Sequence, residues 1–311
     1  MKPIPRVSVV IPHLNDNEEL GRCLARLDAQ VEETPAFEVI VADNGSMALP
    51  EAVSKRAVST RVVVERHPGP GPARNAGAAV ARGDIIAFID ADCHADPDWL
   101  ARIVAAFDAD PDLDYTAGRI LVEAATPGRP NGVEAYEAVF SYRVKLFVER
   151  DRYAATGNMA VRRKVFGEVG PFDGLSRAED RAWGQRAAAL GYRIAYLPEA
   201  RVSTSGCRNF AELATRLDRL VAHNHAERRS DLHWIVQSAM MAGSPLRDLF
   251  VLAASPEISG PRAKLLAAGI LIRIRLYRAW RMLELMTRNW SDQHLASWNR
   301  LTPTGHKDGR R

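Results

Sequence analysis

The sequence predicts an α/β fold: a Rossmann-like, mostly parallel sheet flanked by helices, with a helical C-terminal extension. Three observations carry that expectation. Short apolar, β-rich runs alternate with helical patterns through the first part of the chain, an order that builds parallel strands with helices on both faces. Two of these runs, FEVIVAD (37–43) and DIIAFID (84–90), end in an aspartate. Ligands of such sheets bind beyond the carboxyl ends of the strands, so these acids stand where chemistry is expected. After about residue 207 the pattern becomes helical.

Taken in order, VSVVI (7–11) reads as the first strand. NEELGRCLARLDAQ (17–30) follows with apolar residues at helical spacing. FEVIVAD is the second strand and RVVVER (61–66) the third. GPARNAGAAVARG (71–83) reads as a loop feeding a helix closed by Gly83, and DIIAFID is the fourth strand. PDWLARIVAAF (97–107) is a helix with Pro97 near its start, where a missing N–H costs nothing. Residues 111–132 hold several prolines and glycines and read as loops and short strands. Residues 133–149 look helical, and DRYAATGN (151–158) reads as a loop. AEDRAWGQRAAALG (178–191) is a helix with a glycine stop, and YRIAYLP (192–198) is a further strand. Helical segments then run through FAELATRLDRLVAHNHAERR, DLHWIVQSAMMA and residues 261–288. The expected division is an α/β domain over 1–206, a helical extension over 207–300 and a disordered tail over 301–311.

Composition bounds the function. With 311 residues, 47% hydrophobic and 26% charged, the chain is an ordinary globular protein with a sizeable core. Its sequence pI near 9.1 suits anionic partners such as nucleotides or a membrane surface, and equally a solvated basic surface. No nucleic-acid-binding pattern is present. Cys23, Cys93 and Cys207 are odd in number and scattered, which offers neither a disulfide framework nor a zinc spacing and places the chain in a reducing cytosol. MKPIPRVSVVIP lacks the apolar stretch of a signal peptide. The most apolar helix, KLLAAGILIRIRLYRAWRML (264–283), is interrupted by Arg273, Arg275, Arg278 and Arg281. Each arginine at bilayer depth costs roughly 2.5–3.5 kcal/mol, so the segment is not expected to span. Leu265, Ile272, Leu276, Trp280 and Leu283 form one stripe of that helix. The stripe is expected to pack on the main domain; the alternative is a peripheral contact of residues 261–288 with anionic lipid at the inner face of the membrane.

Four segments can carry chemistry. In FIDADCHADPDWL (88–100), Asp90 and Asp92 are two apart past a strand end, so both carboxylates can face one hard divalent ion such as Mg²⁺ or Mn²⁺. The competing reading is a solvated turn. ADNGS (42–46) puts Asp43 and Asn44 at a turn, where they either shape the turn or bond the edge of a base. HPGPGPARNAG (67–77) is a Gly/Pro-rich loop before a helix, suited to an anion that Arg74 would attract. It matches neither a dinucleotide fingerprint nor a P-loop. Glu179 and Asp180 open a helix, where the dipole alone favours carboxylates by about 0.3–1 kcal/mol; general base catalysis is the other reading.

Together and in this order, VSVVIPHLN, ADNGS, the Arg74 loop with FIDADC, and PFDGLSRAEDRAWGQRA resemble the inverting family 2 glycosyltransferases of the GT-A fold, over roughly residues 6–204. The resemblance implies transfer of a sugar from a nucleotide-diphosphate sugar to a hydroxyl of a saccharide or lipid-linked acceptor, in envelope or exopolysaccharide synthesis. It implies that Pro12, His13 and Asn15 lie beside the nucleotide and that Asp43 is the first acid of a base-reading pair. The second position of that pair is Asn44, a departure that leaves UDP, dTDP and GDP all open as the donor nucleotide. Arg74 matches the basic residue near the diphosphate. Asp90 and Asp92 match the metal-binding DxD, with Asp92 the direct ligand, and Mg²⁺ or Mn²⁺ is the implied cofactor. Asp180 matches the catalytic base of the pair it forms with Glu179, and Trp183 falls in the region that faces the acceptor in the family, where it either stacks on a sugar ring or packs in the core. Many relatives add a metal-binding histidine after the following strand, whereas ARVSTSGCR contains none. Two alternatives stay open: a nucleotidyltransferase, although IPHLNDNEE lacks the expected Gly- and Arg/Lys-rich loop, and a non-catalytic sugar-nucleotide-binding protein.

Overall fold

The structure, a computed structural model, describes residues 4–287 apart from 32, 54–57, 175–177 and 227–229. The expected disordered tail at 301–311 lies outside the described residues.

The first half is built as its periodicity dictates. Strand β1 (Val7–His13) is flanked by β2 (Phe37–Asp43) and β4 (Ile85–Ile89), and β2 by β3 (Thr60–Val64), all parallel. β1, β2 and β4 are buried almost throughout, which is why they read as continuous apolar runs rather than alternating ones. Helices α1 (Asn17–Asp28) and α2 (Pro70–Ala79) are the crossovers, and Asp16 caps α1 by accepting from the Glu19 N–H. α2 approaches β1 closely at Gly77, where a Cβ would come within 2.4 Å of the Val10 side chain. Helix α2 begins at Pro70, with Gly69 as its N-cap at φ 126°, so Arg74 belongs to a helix and not to a loop.

The second half departs from the expected loops. After β5 (Cys93–Ala95) and α3 (Trp99–Ala109) comes β6 (Tyr115–Glu123), nine residues long. Helix α4 (Gly132–Phe140) carries a full capping box between Asn131 and Glu134. A short turn of helix α5 (Val144–Leu146) runs into a π-helical turn, Phe147–Asp151. Strand β7 (Asn158–Arg162) and helix α6 (Arg163–Val169) follow, neither of which the sequence pattern announced. Then come α7 (Glu179–Ala189) and β8 (Ile194–Ser205). The sheet order is β3-β2-β1-β4-β7-β6-β8-β5, with β7 antiparallel to both β4 and β6 and β5 antiparallel to β8. The buried Asn158 fixes this half: it accepts from Trp99 Nε1 at 2.9 Å and donates to the carbonyls of Arg119 and Ala200, both at 2.9 Å.

Beyond β8 the chain is helical: α8 (Phe210–Ala226), α9 (Asp231–Gly243), α10 (Pro245–Ala254) and α11 (Pro261–Thr287). The face of α11 that packs is Ala263, Ala267, Leu271 and Ile274, against Val133, Tyr136 and Val139 of α4. This corrects the expected docking stripe, because Leu265, Ile272, Leu276, Trp280 and Leu283 are all exposed. The packed face joins Leu271 and Ile274 to two alanines, so residue size alone does not separate the two faces. Among the described residues no helix is long and apolar enough to cross a membrane.

Candidate active site

The carboxyl ends of β1, β2 and β4 lie side by side, because the register pairs His13 with Asp43 and Val10 with Phe88. The first group of expected residues gathers there into one network. The Asp16 N–H donates to His13 Nε2 at 3.3 Å, so the proton shared with Asp43 Oδ1 at 3.1 Å sits on His13 Nδ1. Asp43 Oδ2 also accepts from the Gly45 and Ser46 N–H groups. Burial works against the Asp43 charge, but the bonds from Ser46 and His13 outweigh it and hold the carboxyl below its ordinary range. Asn15, at φ 55°, accepts from the Met47 N–H and joins the two turns, while Pro12 is half-buried beside Ala42 in the register.

Asn44 is a correction. Its amide donates to the carbonyls of Glu65 and His67 at 3.1 and 2.8 Å, and its oxygen accepts from the Gly69 N–H at 2.7 Å. Both donors are thus occupied in holding the 65–69 segment against β2, and the buried side chain has no free N–H to offer a base.

Arg74 organises the second group. It is buried in α2 and its fork spans two elements: one nitrogen lies 2.6 Å from Asp90 Oδ1 past β4, the other 2.9 Å from Glu179 Oε1 at the start of α7. Burial disfavours its charge, but the Asp90 and Glu179 carboxylates more than restore it, so its pKa rises. Asp180, next in the chain, is treated differently. Its carboxylate accepts from the Arg181 N–H and is in no ion pair among the described residues. Burial first, and the Glu179 charge second, push it up to about 7. Two adjacent carboxylates therefore have separated roles: Glu179 is committed to Arg74, and Asp180 is poised to gain or lose a proton near neutrality.

Asp90, Asp92 and Cys93 present one ligand atom each within 4.8 Å of one another. Asp92 opens onto solvent, yet the protein around it and the neighbouring Asp90 charge push its carboxyl up to about 6. Two crowded carboxylates without enough positive charge between them suit a divalent cation. Cys93 does not: burial and the two aspartates raise its thiol well above the usual range, so it stays protonated. The donor set fits a hard, oxygen-binding ion. The segment after β8, where the sequence lacks a histidine, runs beside these acids, since Cys93 pairs with Thr204. There the Cys207 N–H donates to the buried Glu137, at 2.5 Å.

Trp183 is the second correction. It is 1% exposed, donates from Nε1 to the Gly170 carbonyl at 2.9 Å, stacks on Phe166 and meets Tyr115 edge-on. It anchors α7 in the core and offers no face to a sugar. The sequence reading also passed over Arg181, which follows Asp180 and lines a large cavity under the C-terminal helices. Its position in the AEDR run was the available signal.

Residues 8–170 match the family described as Glycosyl transferase family 2, which is more than half of the chain. The chain is 29% identical over 216 residues to the glycosyltransferase AglE of Haloferax volcanii, covering 68% of this chain and 70% of that protein. It is 30% identical over 251 residues to the pre-mycofactocin glycosyltransferase of Mycobacterium tuberculosis; this covers 76% of the chain but 46% of that longer protein. The mannosyltransferase PcManGT of Pyrobaculum calidifontis, solved in complex with GDP-Man and Mn²⁺, has a TM-score of 0.55 at 22% identity, over 96% of this chain and 88% of that one. That likeness shows the fold to be GT-A. The chain belongs to glycosyl transferase family 2 and is a glycosyltransferase.

Proposed function

We propose that the protein is an inverting glycosyltransferase that moves a sugar from a nucleotide-diphosphate sugar to a hydroxyl of a saccharide or lipid-linked acceptor. The observation that carries this reading is the Asp90–Arg74–Glu179 chain of ion pairs ending beside an uncommitted Asp180. It sets an anion-facing group and a proton acceptor on one rigid frame.

Asp180 is the base. The acceptor O–H gives its proton to the Asp180 carboxylate as the oxygen attacks the anomeric carbon. The bond from that carbon to the diphosphate breaks, and the nucleoside diphosphate leaves with the electron pair. Attack from the face opposite the leaving group inverts the anomeric configuration. Glu179 does not transfer the proton; it holds Arg74, and through it the end of β4, at a fixed distance from α7. Asp92, with the second oxygen of Asp90, is the site for Mg²⁺ or Mn²⁺. Such an ion supplies positive charge to a diphosphate leaving group. The donor-side turns of Pro12, His13, Asn15 and Asp43 form the floor for the nucleoside. With Asn44 tied to the chain, UDP, dTDP and GDP are separated by the shape of that floor and not by the residue at 44.

The test is a screen of UDP-, dTDP- and GDP-sugars for Mn²⁺-dependent binding and slow hydrolysis. One of them should bind with metal present. Asp92→Ala should lose the metal-dependent part of that binding, and Asp180→Asn should keep donor binding but lose transfer. No binding by any sugar nucleotide, or wild-type transfer by Asp180→Asn, sinks the proposal.

A further inference from the structure

The turn that ends β2 has little left with which to read a base. Asp43 Oδ1 lies 3.1 Å from His13 Nδ1, and Oδ2 accepts from the Gly45 and Ser46 N–H groups. Both N–H groups of the Asn44 amide are taken by the carbonyls of Glu65 and His67. Telling one base from another needs a donor or an acceptor of fixed sense at the edge of the ring. The segment that Asn44 holds supplies one.

That segment lies against the turn and is fixed at both ends. The Glu65 N–H donates to the Asp43 carbonyl at 2.8 Å, and the Gly69 N–H to Asn44 Oδ1 at 2.7 Å. Between them, Pro68 confines the His67 backbone to extended conformations. The His67 side chain is 88% exposed, yet it is not free to rotate. Its Nδ1 lies 2.9 Å from Glu65 Oε1, and the His67 N–H donates to the same oxygen at 2.7 Å. The His67 N–H above all, and then the imidazole, hold the Glu65 carboxyl below its ordinary range against the effect of burial. Glu65 is therefore an acceptor, and Nδ1 carries the imidazole proton. The lone pair is on Nε2, which has no partner among the described residues. The result is an uncovered ring held in one orientation and one tautomer, the preorganisation that recognition uses.

The bases divide on what they would present to such a lone pair. Uracil and thymine carry N3–H and guanine carries N1–H, which donate. Cytosine N3 and adenine N1 carry lone pairs of their own, and two acceptors placed face to face leave both unsatisfied.

We propose that His67, oriented by Glu65, reads the base of the donor nucleotide by accepting its ring N–H, so that uracil, thymine and guanine are favoured over cytosine and adenine. The proposal rests on the transferase reading above, since it needs a nucleotide at this turn. It goes beyond that reading by naming the residue that selects among bases.

The experiment uses the full chain at pH 8 with Mn²⁺ and four probes, UDP, CDP, GDP and ADP, with binding followed by calorimetry. UDP and CDP share ring size, ribose and phosphates, as do GDP and ADP, so each pair differs at the base edge. In the pair that binds more tightly, the N–H base should be favoured by about tenfold or more. His67→Phe keeps a flat ring and removes the lone pair, and the preference should fall to within about twofold. Glu65→Gln leaves His67 in place but frees the other tautomer, and it should weaken the preference as well. No preference in the wild-type protein, a preference for CDP or ADP, or an unchanged preference in either variant would overturn the proposal and leave the transferase reading standing. Absence of binding by all four probes and by dTDP would remove the transferase reading and this proposal with it.

Discussion

Arg74 and Glu179 stand 105 residues apart in the chain and 2.9 Å apart in the fold, and their pairing leaves Asp180 without a cation of its own. The same guanidinium lies 2.6 Å from Asp90. One side chain thus links Asp90, a proposed metal ligand, to the neighbour of Asp180, the proposed base.

Arg74→Met leaves two carboxylates unpaired in a crowded site. Breaking a buried pair by removing one partner costs about 3–5 kcal/mol, and the half-exposed Asp90 places this case at the lower end. Arg74→Lys should be nearly as damaging to turnover, because one ammonium cannot hold two carboxylates in a fork. Urea unfolding should show the stability loss for the methionine variant, and initial rates should show the lysine variant at least about 100-fold down while still folded.

Asp180 gives the site its pH dependence. Its carboxyl lies near 7 in the folded protein and in the ordinary carboxylate range when unfolded. The base form therefore appears as pH rises through about 7, and kcat/KM should climb over that interval. Stability runs the other way. Between about pH 4 and 7 the folded state holds a proton that the unfolded state has lost, so this residue makes the protein less stable as pH rises. Asp180→Asn should be more stable than wild type at pH 8, by on the order of 1 kcal/mol after solvent screening, with the difference vanishing below pH 4. Its transfer rate should fall by about 10²–10⁴-fold. Thermal melts at the two pH values and a rate profile check both signs.

Asn44→Asp would restore the acid pair that the family resemblance implies, and it should fail. The amide donates to two carbonyls. A carboxylate there faces both with acceptors only, and each unsatisfied buried group costs about 1–3 kcal/mol. The variant should lose about 2–4 kcal/mol in urea unfolding without gaining a preference for UDP-sugars.

Trp183→Phe removes the hydrogen bond to Gly170 but retains much of the ring contact. The acceptor KM should stay within twofold while the melting temperature drops. Trp183→Ala should cost about 3–5 kcal/mol, the range for emptying a large core site. A selective rise in acceptor KM with unchanged stability would return this residue to the acceptor site.

Much of the fold was legible because its first half is repetitive. β1, β2 and β4 are apolar runs between amphipathic helices, and the acids at 43 and 90 mark the strand ends. β7 escaped notice because NMAVR is five residues long, follows a glycine and borders the basic RRK. It becomes a strand through pairing with Ile85–Ile89, a partner 73 positions away, and only tertiary context supplies that. The site residues were visible as types and not as partners. A lone Asn44 at a turn suits base reading and turn-making alike, and the 65–69 segment decides between them. Trp183 was ambiguous for the same reason, since Tyr115, Phe166 and Phe172 come from distant segments. The stripe on α11 was not decisive because that helix carries large apolar residues on both faces: Leu271 and Ile274 are buried while Leu265 and Ile272 are exposed.

The span of Arg74 also sets when the enzyme becomes competent. Asp90 follows Arg74 by 16 residues and Glu179 by 105. A chain emerging from the ribosome can pair the first two early, but the fork stays half filled until α7 arrives and closes on it. Late, long-range contacts of this kind are the slow ones to form. Asp180, the proposed base, is the residue after the one that completes the pair, so its placement waits on α7, while β8 still has to join the sheet. A partly folded chain would hold Asp90 and Asp92, the proposed cation ligands, without the proposed base beside them.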